Sequence, residues 1–138
     1  MAAQAAPRIA RITSADVPEP QPQTWSNCLV VNGVAYVAGL IAREKNGKIL
    51  DGDEYAQAQM IFAKIKSLIE AAGGTMADVV KVVIYVTDIK QREKVWKARR
   101  EVFTGNFPVS TLVQVAALAD PAVKVEVDAI AHIGAGPR

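Results

Sequence analysis

The sequence predicts an α+β fold in which one sheet carries two helices on a single face. Three observations predict it. Segment 124–133, KVEVDAIAHI, alternates: Val125, Val127, Ala129 and Ala131 fall on one side of a strand, and Lys124, Glu126, Asp128, Ile130 and His132 on the other. Segment 51–74, DGDEYAQAQMIFAKIKSLIEAAGG, instead gathers Ala58, Ile61, Phe62, Ile65, Leu68, Ile69 and Ala72 on one helical stripe. The elements follow the order strand, strand, helix, strand, helix, strand, strand. Two one-sided helices and five strands pack most economically with both helices on one face of a single sheet.

Taken in order, RIARI at 8–12 reads as a short edge strand, and the Pro-rich run 13–24 has no period and reads as a loop. CLVVNGVAYVAG follows. Its Asn32-Gly33 pair between two β-rich runs signals a tight hairpin, because both central residues of that turn need positive φ. A second Asn-Gly, at 46–47, marks a loop or another tight turn. Asp51 or Asp53 can cap the long helix, and Gly73-Gly74 stops it. TMADVV (75–80) is expected to add one more helical turn. The strand 80–88 sets Val80, Val82, Ile84 and Val86 against Lys81, Val83, Tyr85 and Thr87, so both its sides are expected to be covered. Residues 91–103 form a second helix with Val95, Ala98, Val102 and Phe103 inward, ended by GNFP. Two strands, 110–118 and 124–133, are joined by the turn ADPA.

Composition limits what such a chain can do. At 138 residues it is expected to be one domain, residues 1–138, with a core that needs no disulfide or metal. Cys28 is the only cysteine and His132 the only histidine, so an intrachain disulfide and a structural zinc site are both excluded. No acidic loop suggests a hard-cation site. A net charge of +2 is too small to predict nucleic-acid binding. No apolar run approaches the ~20 residues of a membrane span, and the N-terminal segment lacks the apolar core of a leader. A cytoplasmic protein is expected.

The second face of the sheet is the anomaly. Val83, Tyr85, Leu112, Ala116, Leu118 and Ile130 would stand there beside Gln114 and Glu126. An exposed mixture of that size points to association. The expectation is an oligomer whose polar residues line a cleft shared between copies.

Three segments carry a resemblance: NGVAYVAGLI, AQAQMIFAKIKSLIEAAGGTMADVVKVVIYVTDI, and FPVSTLVQVAAL with VKVEVDAIAHI. In order and spacing they resemble the Rid (YjgF-like) family of reactive intermediate deaminases, from about Trp25 to Ile133. The resemblance implies a chorismate-mutase-like (ferredoxin-like) fold and a homotrimer with small-molecule clefts between neighbouring subunits. It implies hydrolysis of amino-acid-derived enamines and imines without a metal or organic cofactor. It also implies an arginine two positions after the proline of the FP motif, holding the substrate carboxylate as a bidentate clamp. Carried over residue by residue, Glu126 falls at the family's acid–base glutamate and Gly39, with Leu40 beside it, at the glycine of the cleft. Trp25 replaces a tyrosine of the cleft wall, and Trp96 replaces an asparagine. Ser110 stands where the arginine is expected.

A serine offers one neutral donor where a guanidinium offers charge-assisted bonds of ~1.5–3 kcal/mol each. With Trp25, Trp96 and Leu40 added, the expected ligand is larger and more apolar than the smallest amino-acid imines. Arg43, Arg99 and Arg100 are candidates to replace the missing arginine. Arg99 and Arg100 follow Trp96 by three and four residues, so a helix brings at least one near its face. Other readings stand beside these. Tryptophans more often pack than bind, and Cys28 reads as a small buried hydrophobe. REKVWKARR reads first as a solvated helix face. Its sharper reading is RNA contact with Trp96 as a stacking surface, and a non-catalytic ligand-binding trimer is a further alternative.

Overall fold

The computed structural model describes residues 5–137. Residues 1–4 and 138 lie outside it, and with them the start of the segment read as lacking a leader. Six strands form one sheet: β1 (Ala10–Ile12), β2 (Cys28–Val31), β3 (Val34–Leu40), β4 (Val79–Val86), β5 (Val109–Gln114) and β6 (Val125–His132). Their order across the sheet is β1-β2-β3-β6-β4-β5, antiparallel except for the β4–β5 pair. Helices α1 (Glu54–Ala71) and α2 (Arg92–Val102) complete the mixed α+β fold. Among the described residues no helix is long and apolar enough to cross a membrane.

Local chemistry explains most element ends. Asn32 and Gly33 both adopt positive φ, 51° and 74°, in the two-residue turn between β2 and β3. Asp53, not Asp51, caps α1: its carboxylate accepts from Ala56 N at 2.9 Å. Gly73, at φ 89°, ends the helix in a left-handed turn. The α1 stripe behaves as expected. Ile61, Phe62, Ile65, Leu68 and Ile69 are fully buried in one core with Val82, Ile84, Val125, Val127 and Ala129. Phe62 meets Phe103, just past the end of α2, edge to face with centroids 5.9 Å apart.

Several expectations need correction. Residues 75–80 do not add a turn of α-helix. Met76–Asp78 form a short 3-10 turn and β4 begins at Val79. The buried Asp78 carboxylate accepts from Thr75 N and Gly136 N, which holds this turn tight. A register shift between Val79 and Lys81 then puts Val79 inward and leaves Val80 exposed, so the alternation assumed from Val80 is one residue out at its start.

The strand expected over 110–118 stops at Gln114, and residues 115–124 cross irregularly to β6. β5 pairs with β4 alone and β6 lies between β3 and β4, so the last two strands are not neighbours. The cause is α2, which returns the chain to the sheet in the same direction and so requires a parallel pair.

Directly paired residues share a face. Leu112 opposite Ile84, and Gln114 opposite Val86, therefore turn toward the helices rather than the open face. Tyr36, Val83, Tyr85, Val109, Val113, Glu126, Asp128 and Ile130 share the open face. Of these, Tyr36, Val109 and Val113 are exposed large apolar residues.

Candidate functional site

The cleft begins with an irregularity in β3. The pairing of β3 with β6 shifts register between Val37 and Leu40, so that Val37 and Leu40 both face the core while Gly39 faces out. Bulges commonly re-aim residues beside active sites. Here the bulge brings Gly39 against Glu126. A Cβ at position 39 would lie 2.7 Å from Glu126 Oε2 and 2.9 Å from its Cδ. Glycine at this position leaves the space that the carboxyl group occupies.

Around this pair a cavity of about 520 Å³ is lined by Trp25, Asn27, Gly39, Ile41, Arg43, Lys64 and Glu126, with Leu40 and the 17–21 loop. Trp25 stands mostly exposed at its mouth, its indole N–H donating to Asn27 Oδ1 at 3.3 Å. Buried Asn27 in turn donates to Pro18 O and accepts from Ala38 N through its backbone. Asn27 thus ties the indole and the Pro-rich loop through its side chain and the bulge through its backbone carbonyl. Leu40 is buried, so it shapes the floor from the core side. Lys64 reaches across from α1 and donates to Ile41 O at 3.0 Å and to Arg43 O. Burial and the nearby Arg43 push its ammonium down to about 8. Arg43 lines the same wall, but its guanidinium is turned to Gly47 O, 2.7 Å away.

Glu126 leaves β6 on the open face, opposite Tyr85 of β4. Among the described residues its carboxyl group meets no cation and no hydrogen-bond donor. Partial burial, and then the charge of Asp128, raise its pKa above the usual carboxylate range. Tyr85 donates to Asp128 Oδ2 at 3.1 Å, which anchors that neighbour and leaves Glu126 free. A carboxyl whose pKa is raised on folding holds its proton more tightly in the folded chain. Its contribution to stability is therefore full at low pH and declines as pH rises from the unfolded value toward the folded one. Glu126→Gln is accordingly expected to match the parent at pH 4 and to melt higher than the parent at pH 8, read by thermal unfolding. A parent more stable than the variant at pH 8 would contradict the raised pKa.

Trp96 and Ser110 do not enter this cavity. Ser110 lies opposite Val82 and so faces the helices at the β5 edge, whereas Glu126 faces the other way. There Arg99 Nη1 donates to Ser110 Oγ at 2.9 Å. The guanidiniums of Arg92 and Arg99 sit 5.8 and 5.7 Å from the centroid of the half-buried Trp96 ring. The chain thus presents two separate constellations: Trp25, Gly39, Leu40 and Glu126 on one, and Trp96, Arg99 and Ser110 on the other. Arg100 is exposed and belongs to neither.

Cys28 is fully buried and its thiol is pushed up to about 11 by burial, so it packs as a small hydrophobe. His132 is exposed at the end of β6. Part of the basic α2 face is tied to α1, with Lys97 4.4 Å over the Tyr55 ring and Lys94 3.7 Å from Asp53. Among the described residues no three His, Cys, Asp or Glu side chains gather as they would around a metal ion. Sequence reasoning missed Asn27 and Lys64. The only signal for either was polarity at a position next to a buried run.

Residues 18–133 match the family described as endoribonuclease L-PSP. The fold is shared with a Pseudomonas aeruginosa protein of unknown function, at 35% identity and TM-score 0.86, over 95% of this chain and 96% of that one. RidA from an Antarctic Psychrobacter is 28% identical, with TM-score 0.83, over 90% and 99% of the two chains. A conserved Rid-family protein of unknown function from Yersinia pestis is 26% identical, with TM-score 0.86, over 91% and 100%.

Proposed function

Starting from a chain that belongs to the endoribonuclease L-PSP (Rid) family, we propose that it hydrolyses amino-acid-derived imines at clefts completed between the subunits of a homotrimer. The observation that carries this reading is the Gly39–Glu126 pair: an uncompensated carboxyl with a raised pKa, held at the wall of an open cavity by a bulge that only glycine leaves room for. General acid–base catalysis calls for a carboxyl placed and tuned in this way.

In the proposed reaction water adds to the imine carbon and gives a carbinolamine. The C–N bond then breaks, releasing ammonia and leaving a ketone. Glu126 takes one proton from the attacking water and delivers it to the imine nitrogen, giving the carbinolamine. It then takes the hydroxyl proton as the C–N bond breaks and delivers that to the departing nitrogen, so both water protons leave in ammonia and the glutamate ends each cycle unchanged. Trp25, and Trp96 from the neighbouring copy, enlarge the apolar wall and favour bulky side chains on the substrate. The apolar residues on the open sheet face, Tyr36 and Val113 among them, support burial of that face against another copy. The opposed directions of Ser110 and Glu126 support a site shared between chains, because a single chain cannot bring both to one ligand.

A nuclease reading has less to stand on. Paired histidine chemistry is unavailable to a chain whose one histidine is exposed at a strand end.

Ammonia release from a panel of 2-imino acids generated in situ tests the proposal. Aromatic and branched members are expected to turn over faster than 2-iminopropanoate, in a preparation that scatters light as three 14.8 kDa chains. A stable folded single chain at micromolar concentration, or no ammonia above the spontaneous rate from any imine, would overturn it.

A further inference from the structure

Arg99 is held in a manner its own chain does not explain. Its guanidinium lies by the Trp96 ring and gives Nη1 to Ser110, yet no acidic side chain among the described residues pairs with it. Its Nε is buried with no acceptor at all. A partly buried guanidinium with no counter-ion and with its Nε unpaired is costly to keep, and an anion beside its Nη groups, next to Ser110, would offset that cost. The other arginines near the candidate residues are committed differently. Arg43 is turned to Gly47 O, Arg92 gives Nη1 to Ile89 O, and Arg100 is exposed.

We propose that Arg99 and Ser110 together seat the carboxylate of the ligand, with Trp96 fixing the plane of the guanidinium. This rests on the imine-hydrolase reading for the location of the ligand, between Glu126 of one copy and the β5 edge of the next. A planar fork with one adjacent hydroxyl matches one carboxylate. A phosphate dianion would call for a second free cation, and Arg92 is already engaged. Position 110 therefore does not leave the anion unbound. The guanidinium enters from the helix instead of from the strand, and the serine hydroxyl both orients it and offers a hydrogen bond beside it.

The test is calorimetric binding of 2-oxo-3-phenylpropanoate, a ligand of the product type, and of its methyl ester, to the parent, Arg99→Gln, Arg99→Lys and Arg100→Gln. Circular dichroism and light scattering verify the assembly. The acid is expected to bind the parent more tightly than the ester does. Its affinity should fall about tenfold or more in Arg99→Gln, fall less in Arg99→Lys, which keeps charge without the fork, and stay unchanged in Arg100→Gln.

Equal binding of acid and ester by the parent, parent-like affinity in Arg99→Gln, or displacement of the acid by lower concentrations of inorganic phosphate would each overturn the proposal. Should Arg99→Gln fail to assemble, full affinity in Arg99→Lys would overturn it equally. Arg99-dependent acid binding without turnover of any imine would remove the hydrolase and keep the seat. Turnover with an unchanged KM in Arg99→Gln would do the reverse.

Discussion

Glu126→Ala is expected to lower imine hydrolysis about 10²–10⁴-fold, the span that positioned acid–base groups contribute, while the chain folds and assembles as before. The residue is suited to so selective an effect. It stands on the open face of β6, it meets no donor or cation in its own chain, and Val125 and Val127 on either side hold the strand in the core. Removing it leaves no buried group unpaired. Gly39→Ala provides the companion test. Its Cβ would overlap the carboxyl group at 2.7 Å, but the overlapping atoms are the end of a flexible side chain that can swing away. Turnover should therefore drop toward the Glu126→Ala level with little change in melting temperature. Unimpaired turnover in either variant, measured as ammonia released per site, would remove Glu126 from the chemistry.

Gln57→Leu should produce the largest loss of stability of any single polar substitution considered. Gln57 is fully buried in the first turns of α1. Its Nε2 donates to Leu50 O at 3.2 Å and Ala122 O at 3.0 Å, and its Oε1 accepts from Lys124 N at 2.9 Å. Lys124 Nζ adds a bond to Gly52 O at 2.8 Å. One amide thereby fixes the entry to α1 and the end of the 115–124 crossover, two residues before Glu126. Leucine fills the same space but leaves three backbone groups, of the partly buried Leu50 and Lys124 and of Ala122, without this partner, at about 1 kcal/mol or more each. The expected net cost is about 3 kcal/mol or more, read as a lower urea midpoint with an unchanged slope at fixed protein concentration. A shift below about 1 kcal/mol would mean that water or a backbone adjustment replaces the amide.

Gln57 also shows where reading a sequence stops. It lies four residues before Ile61 and eight before Ile65, on the apolar stripe itself, so its burial was there to be seen. Its three partners come from residues as far as 67 positions away, and nothing local names them. The helix α1, the Asn32-Gly33 hairpin and the alternation of β6 were all legible, because each is written in a short repeat or in the conformational demand of one or two residues. The 75–80 turn and the start of β4 were misread by a residue or more, because the register shift at Val79–Lys81 is imposed by the partner strand. Of the residues singled out from the sequence, Trp25, Gly39, Leu40 and Glu126 line one cavity, and Asn27 and Lys64, which line it too, were not singled out.

By itself the sequence determined the elements, the core-facing residues of most of them and the family to which they belong. These follow from periodicities of two and 3.6 residues and from motifs in order along the chain. Only the tertiary structure decided that β6 enters between β3 and β4, that Ser110 turns away from Glu126, and that Arg99 finds Ser110 across an edge. Those outcomes depend on strand order and register, set by a helical crossover and by burial summed over the whole core. A side chain's face and partner come from that sum, which no short stretch of residues contains.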